Sequence, residues 1–338
     1  MASYIVRRVL IAVFTLFVIS FLTFIIAQLP EGDAVTAYLQ RMHERGGMAP
    51  GRSYESMAVL REYWGLDRPL IVQYWDWIWG IISTGEFGYS WSNNKSVARV
   101  INERLPFTIF LALFTTILVW VWAIPVGIYS AIRKNSIGDY VFTFAGFMGL
   151  AIPDFLLGLV LMYVLFAYFD MSVGGLFSGE YLTAPWSIAR ALDLIQHLII
   201  PGIVIGTAGT AGLIRIMRNN LLDELQKPYV ITARAKGMAS WKVVVKYPLR
   251  LAINPLISGI GGMLPGLLSG DAIVSVVLSL PTLGPTLLDA LLNEDMELVG
   301  TSILMYASLG VIGVLISDLM LVVVDPRIKL TGSGRGNT

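Results

Sequence analysis

Long apolar runs alternate with polar, charged segments along the whole chain. Six of the runs, at about 9–29, 105–132, 140–169, 198–214, 251–280 and 298–324, reach the roughly 17–20 residues that an α-helix needs to cross a bilayer. Each reads as a membrane-spanning helix. The pattern therefore predicts an all-α polytopic membrane protein with six transmembrane helices. Arg7 and Arg8 precede the first run, which invites comparison with a signal peptide. The run is too long for a typical signal-peptide apolar region, and no small-x-small cleavage site follows Ala27. It is expected to be a retained anchor.

Composition agrees with that picture. The 338 residues are 56% hydrophobic and 14% charged, with mean hydropathy +0.71, outside the range of an ordinary soluble domain. A net charge of +1 gives no global field toward nucleic acid, and none is expected as a partner. There are no cysteines, so disulfides and thiolate chemistry are excluded. His43 and His197 are the two histidines and lie far apart in sequence, so no metal centre is expected.

Charge sets the orientation. With both termini inside, the inner segments carry 15 Lys/Arg and 4 Asp/Glu, the outer segments 9 and 16, and three aspartates fall within spans. An excess of Lys and Arg marks the cytoplasmic side. The expected organisation is then residues 1–29 as N-terminus and first helix, 30–104 as an external segment, 105–330 as a five-helix membrane domain with a cytoplasmic loop at 215–250, and 331–338 as a flexible tail.

Within the external segment, Gly46–Gly51 reads as a flexible break between a short helix over 35–44 and an amphipathic helix over 54–64. Trp75, Trp77 and Trp79 follow, near Tyr74. Such clusters form interfacial aromatic belts; a docking surface for an external partner is the other reading. Pro125, Pro153 and Pro201 lie within predicted spans, where a helix can bend.

Small residues recur every four positions in two spans: Gly202, Gly206 and Thr210 in the fourth, and Ser258, Gly262, Gly266 and Gly270 in the fifth. Lipid gives helices no hydrophobic reason to associate, so close contact needs small side chains. A solute path needs them as well. Asp154, Asp271 and Asp318 lie in or at the edges of spans, where a lone charge costs at least roughly 2.5–3.5 kcal/mol. Asp154 follows Pro153 and suits the cap of a broken helix. Asp318 is near enough to the inner end to reach the interface. Asp271 is the candidate for the pathway, with a structural hydrogen bond as the alternative.

The segment 215–250 is the most distinctive part of the chain. It carries Arg215, Arg218, Lys227, Arg234, Lys236, Lys242, Lys246 and Arg250 against Asp223 and Glu224. Asn220 and Asp223 are plausible helix starts, and Lys227-Pro228 interrupts the pattern. A helix is expected over Ala233–Lys236, ended by Gly237 in a left-handed cap. A second is expected over Ser240–Tyr247, with Ser240 as N-cap and Pro248 as the stop.

Ile231-Thr232-Ala233-Arg234-Ala235-Lys236-Gly237 resembles the "EAA" loop of ABC importer permeases, in the form of the dipeptide/oligopeptide branch. The resemblance extends over nearly the whole chain, through Tyr4–Arg8, Trp64–Leu70 with Gln73-Tyr74, Gly85–Gly88, Glu103–Pro106, His197–Pro201, Pro281–Gly284 and Asp325–Ile328. It implies the type I permease fold, with an external segment after the first helix. It also implies a sibling permease subunit, two cytoplasmic ABC ATPase subunits and an external solute-binding protein, all around a body bathed in membrane lipid. Thr232, Ala233, Arg234, Ala235, Lys236 and Gly237 would form the coupling helix seated on an ATPase. Gly262, Gly266, Gly270, Asp271 and Ser275 would line the pathway or pack helices. The chain departs from the branch at Ile231, which usually is Arg, and at Ser275, where a glutamate is common.

No Gly-Lys dipeptide occurs, hence no P-loop; ATP and Mg would be bound by the partner subunits, and this chain would hold no cofactor and no catalytic residue. Di- or oligopeptides are the expected solutes, with oligosaccharides or a metal chelate as alternatives. A secondary transporter would call for internal inverted repeats, of which the sequence gives no convincing sign. An intramembrane serine protease would want Gly-x-Ser-Gly, and Leu267-Leu268-Ser269-Gly270 lacks the first glycine. A channel leaves the basic loop unexplained.

Overall fold

The computed structural model describes residues 2–29, 59, 61–62, 67–171 and 173–324, with only the backbone for 2–4, 260–271 and 322–324. The expected helix at 35–44, the break at Gly46–Gly51 and the tail at 331–338 lie outside the described residues; of the expected helix at 54–64, residues 59, 61 and 62 are described and are helical. The elements are α1 (Ala2–Ala27), α2 (Leu70–Ser83), β1 (Tyr89–Ser90), β2 (Lys95–Ser96), α3 (Val97–Ile132), α4 (Ile137–Ala151), α5 (Asp154–Phe169), α6 (Ile188–Leu225), α7 (Pro228–Ala235), α8 (Ser240–Lys246), α9 (Pro248–Ala252), α10 (Asn254–Val277), α11 (Leu283–Leu292) and α12 (Met296–Val324). The protein is an all-α membrane protein. Among the described residues the strands are confined to one antiparallel pair that matches Tyr89 to Ser96 and Ser90 to Lys95.

Helices α1, α3, α6 and α12 are long and apolar enough to cross a membrane, and α4 with α5 forms a bent pair that passes the same test together. That pair covers the third run expected at 140–169 and breaks at Pro153, where the sequence allowed a bend. Its two halves meet at 103°. The cause is local: proline has no amide hydrogen and pushes the residue before it out of the helical region. Ile152 accordingly sits at φ −91°, ψ 123°, and Asp154 opens α5 as its first residue after Pro153. Pro125 and Pro201, by contrast, lie inside the unbroken helices α3 and α6.

The chain forms two compact units. One comprises the described residues of Met1–Leu10, Thr108–Pro281 and Leu309–Thr338; the other comprises those of Ile11–Phe107 and Thr282–Ser308. In the first, α6 is the hub, with α4, α5, α9 and α10 packed on it. It runs for 38 residues and is capped by Ser187, whose side chain accepts from the Arg190 amide. The expected end of the fourth span near Ile214 is not an end, and Asn220 and Asp223 lie within α6 rather than at helix starts. Leu213, Met217 and Leu221, four residues apart, continue its apolar stripe against Val119, Ala123, Ala131, Val244, Ala252 and Leu256. Burial of that stripe keeps the polar continuation helical.

The small residues of α6 sit where close packing was expected. A Cβ on Gly202 would lie 3.0 Å from the Phe114 ring, and one on Gly206 would lie 2.8 Å from Val119 Cγ2. Across the same contact, a Cβ on Gly127 would lie 2.7 Å from Met217 Cβ. Helices α3 and α6 approach at these glycines, as membrane helices without a hydrophobic drive must.

The second unit is built on α2. Tyr74 is 1% exposed, ringed by Phe17, Phe21 and Phe24 of α1 at 5.2–6.2 Å, and its hydroxyl hydrogen-bonds Ser20 Oγ at 2.8 Å. Trp77 leans on Phe24, while Trp75 and Trp79 are exposed. Nearby, Val97, Val100 and Ile101 form a core with Leu283, Ala290, Leu298 and Val299. Asp295 fastens the β-turn to α12. One of its oxygens accepts from Ser90 Oγ at 2.7 Å, Ser92 N at 3.0 Å and Ser92 Oγ at 2.7 Å.

Candidate functional site

Helices α7 and α8 with their glycine joint form a small folded body. Lys227-Pro228 breaks the chain after α6, and Pro228 takes the first position of α7, where its missing amide costs nothing. The helix thus begins five residues before the expected Ala233. At its other end Gly237 has φ +76°. The Gly237 amide donates to Arg234 O at 2.9 Å and the Met238 amide to Ala233 O at 3.4 Å. These are the two bonds of a Schellman cap, with Met238 supplying its hydrophobic contact. The expected left-handed glycine cap is present. Helix α8 starts at Ser240, but Ala239 occupies the N-cap position and no side chain caps it. Pro248 ends this stretch as expected and opens the short α9.

A core of Val230, Ala233 and Val243, flanked by Tyr229, Met238 and Tyr247, clamps α7 to α8. Tyr229 also donates its hydroxyl to the Glu224 carboxylate at the end of α6. Burial, and then that carboxylate, push the Tyr229 phenol above its ordinary range, so it remains a neutral donor. Neither residue was legible as an anchor, although five positions separate them across the Lys227-Pro228 break.

The outward face is basic with apolar points. Thr232, Arg234, Ala235, Lys236 and Gly237 are exposed, whereas Ala233 is turned into the core. Ile231, Trp241 and Val245 are exposed beside Lys242 and Lys246. Cations with interspersed large apolar groups make a surface suited to docking on a protein groove with acidic edges.

The other predicted positions lie on α10. Gly262, Gly266 and Gly270 share one helix face by their four-residue spacing, with Asp271 next to that row and Ser275 one turn further on. The side chain of Asp271 lies outside the described residues, and Ser275 is fully buried. At the foot of α10, the carbonyls of Ile257 and Ser258 accept from Ser317 Oγ of α12, at 2.6 and 3.2 Å. Among the described residues, no group of three or more His, Asp or Glu side chains is placed to hold a metal.

A family model described as "Binding-protein-dependent transport system inner membrane component" matches residues 123–330, and the model of its N-terminal part matches residues 1–112. The chain belongs to this family.

The permease is similar along its length to curated relatives. It is 37% identical over 332 residues to the oligopeptide transport system permease protein AppB of Bacillus subtilis (strain 168), covering 97% of this chain and all of that protein. It is 30% identical to the dipeptide transport system permease protein DppB of Lactococcus lactis subsp. cremoris (strain MG1363), covering 98% and 100%. It is also 30% identical to DppB of Escherichia coli (strain K12), covering 97% and 99%. The permease is an inner-membrane subunit of an ATP-driven importer that works with a solute-binding protein.

Proposed function

We propose that the permease imports di- or oligopeptides and receives the energy of ATP hydrolysis through the α7–Gly237–α8 body. The observation that carries the coupling reading is the Schellman cap. It fixes the angle between two short helices and leaves Thr232, Arg234, Ala235 and Lys236 outward on one basic face, while Ala233 holds the face in place from behind. The peptide reading is supported by relatives named for oligopeptide and dipeptide transport over nearly the full chain.

In this reading the chain crosses the membrane six times with both termini inside. The segment 30–104 is external, and the membrane domain 105–330 presents 215–250 to the cytoplasm. It pairs with a sibling permease and two ATPase subunits that hold ATP and Mg, and it performs no catalysis itself. Gly262, Gly266, Gly270, Asp271 and Ser275 line the pathway or pack beside it.

Copurification of ATPase subunits with the full chain, together with the ligand retained by the binding protein, tests this reading. A complex in proteoliposomes should take up labelled di- or oligopeptide with ATP inside. Retention of an oligosaccharide or a metal chelate by the binding protein would overturn the peptide assignment. Uptake that proceeds without ATPase subunits would overturn the coupling.

A further inference from the structure

Helices α4 and α6 enclose a groove of about 220 Å³ in the first unit, and none of the residues lining it belongs to the α7–Gly237–α8 body. Its walls include Phe142, Phe147, Leu150 and Ile214, and Arg215 and Asn219 stand at one end. Arg218 shapes that end without being free. It grips Asp139 with two hydrogen bonds, Nε to Oδ1 and Nη2 to Oδ2, both 2.8 Å. Its charge is spent on locking the start of α4 to α6. Arg215, one turn earlier, is exposed, and among the described residues no carboxylate pairs with it.

The groove is therefore mainly apolar, with Thr143 and Tyr140 as further polar groups in its lining and one uncommitted guanidinium and an amide at a single end. Depth makes the arrangement specific. Arg215 is the first residue past the apolar run 198–214, and Phe142, Phe147 and Leu150 lie within the run 140–169. By the bounds of those apolar runs, the cation falls at their polar end and the apolar walls extend from it toward their middle. Three large apolar side chains beside a cation at one end call for a ligand with an anionic head and an extended apolar tail. A molecule with acyl chains below a phosphate matches both parts, and guanidinium is well suited to phosphate oxygens. Basic pockets between helices on the cytoplasmic side are where anionic headgroups are held.

We propose that the α4–α6 groove is a binding site for an anionic phospholipid, with its phosphate at Arg215 and Asn219 and an acyl chain along Phe142, Phe147 and Leu150. Its placement in the inner leaflet rests on the inside-facing orientation given under Proposed function. The binding itself does not.

Native mass spectrometry of the full-length chain in its purified complex tests the proposal, after exchange into detergent with equal amounts of phosphatidylglycerol and phosphatidylethanolamine. The wild type should retain phosphatidylglycerol several-fold over phosphatidylethanolamine. Arg215→Gln should lose most of that preference, and Arg215→Lys should keep part of it. Arg99→Gln, which removes an exposed cation on another helix turn far along the sequence, should leave it unchanged. Equal retention of the two lipids, or an Arg215→Gln complex that behaves as wild type, would overturn the site. So would an equal loss in Arg99→Gln, which reports general charge, or displacement of the lipid by millimolar inorganic phosphate, which reports a free-anion site. Lipid retention is read without transport, so failure of peptide uptake and failure of this site are separate results.

Discussion

Arg8 Nη1 lies 3.1 Å from Asp318 Oδ2, so an ion pair joins the base of α1 to the last turns of α12. The aspartate that the sequence placed near the inner interface thus has a partner 310 positions away in the chain. Its side chain is only 15% exposed, and a carboxylate at that depth is costly without a counter-charge. Arg8→Ala and Asp318→Ala should each lower resistance to unfolding in detergent. The double variant should lose less than the sum, with a coupling of about 0.5–1 kcal/mol. Strict additivity in an SDS titration would remove the pair from the stabilising contacts.

Gly237 permits a test of backbone conformation alone. A Cβ there would meet nothing within 4 Å, so any effect of substitution comes from the left-handed backbone and not from a clash. Gly237→Val should strain the cap by roughly 1–2 kcal/mol and reduce solute-stimulated ATP hydrolysis, with capture by the binding protein intact. Gly237→Asn should be milder, since asparagine tolerates this region. Equal activity for Val and Asn would mean that the cap angle is irrelevant to coupling.

Close helix approach makes Gly206 intolerant of bulk. Gly206→Leu must displace Val119, which already stands within 2.8 Å of the new Cβ position. Overpacking of this kind costs typically about 1–3 kcal/mol. The expected result is a lower melting temperature of the purified complex and less protein in the membrane. Unchanged melting would show that α3 and α6 are not in contact there.

On the other unit, Asp295 is the knot of the β-turn. Asp295→Ala leaves the Ser90 and Ser92 donors without their acceptor, at about 1–3 kcal/mol. Hydrogen exchange of the amides from Tyr89 to Ser96 should accelerate, while amides of α6 keep their wild-type rates. Unaltered exchange at Ser92, whose amide bonds Asp295 directly, would contradict this role.

The cysteine-free chain makes orientation directly measurable. Cysteine at Ala235 or Lys236, both exposed, should react with a membrane-impermeant thiol reagent only from the inner side. Labelling from outside in intact cells would invert the topology.

Apolar length located α1, α3, α6, α12 and the bent pair α4–α5, and one glycine after an alanine-rich turn located the capped joint. What escaped the sequence depended on partners distant along the chain. Arg215, Arg218, Asn219 and Asn220 looked like a loop because their polarity masks the stripe of Leu213, Met217 and Leu221, which matters only once α3 and α9 are there to cover it. Pro153 signalled a bend, but the packing of α5 on α6 and α10 was not readable from it. Tyr74 read as one aromatic among several, although it is the one that α1 encloses. In the segment 231–237, the inward turn of Ala233 follows from a helix start at Pro228 that the local sequence left open.

The unbroken course of α6 has a mechanical meaning. At 1.5 Å per residue its 38 residues span about 57 Å, nearly twice the roughly 30 Å hydrocarbon layer. One rigid rod therefore reaches from the membrane interior to the Glu224 anchor of the basic body. Under the coupling proposed above, a pull on that body would tilt the rod and displace every residue along it in proportion to its distance from the pivot, so that the helix itself would carry the signal.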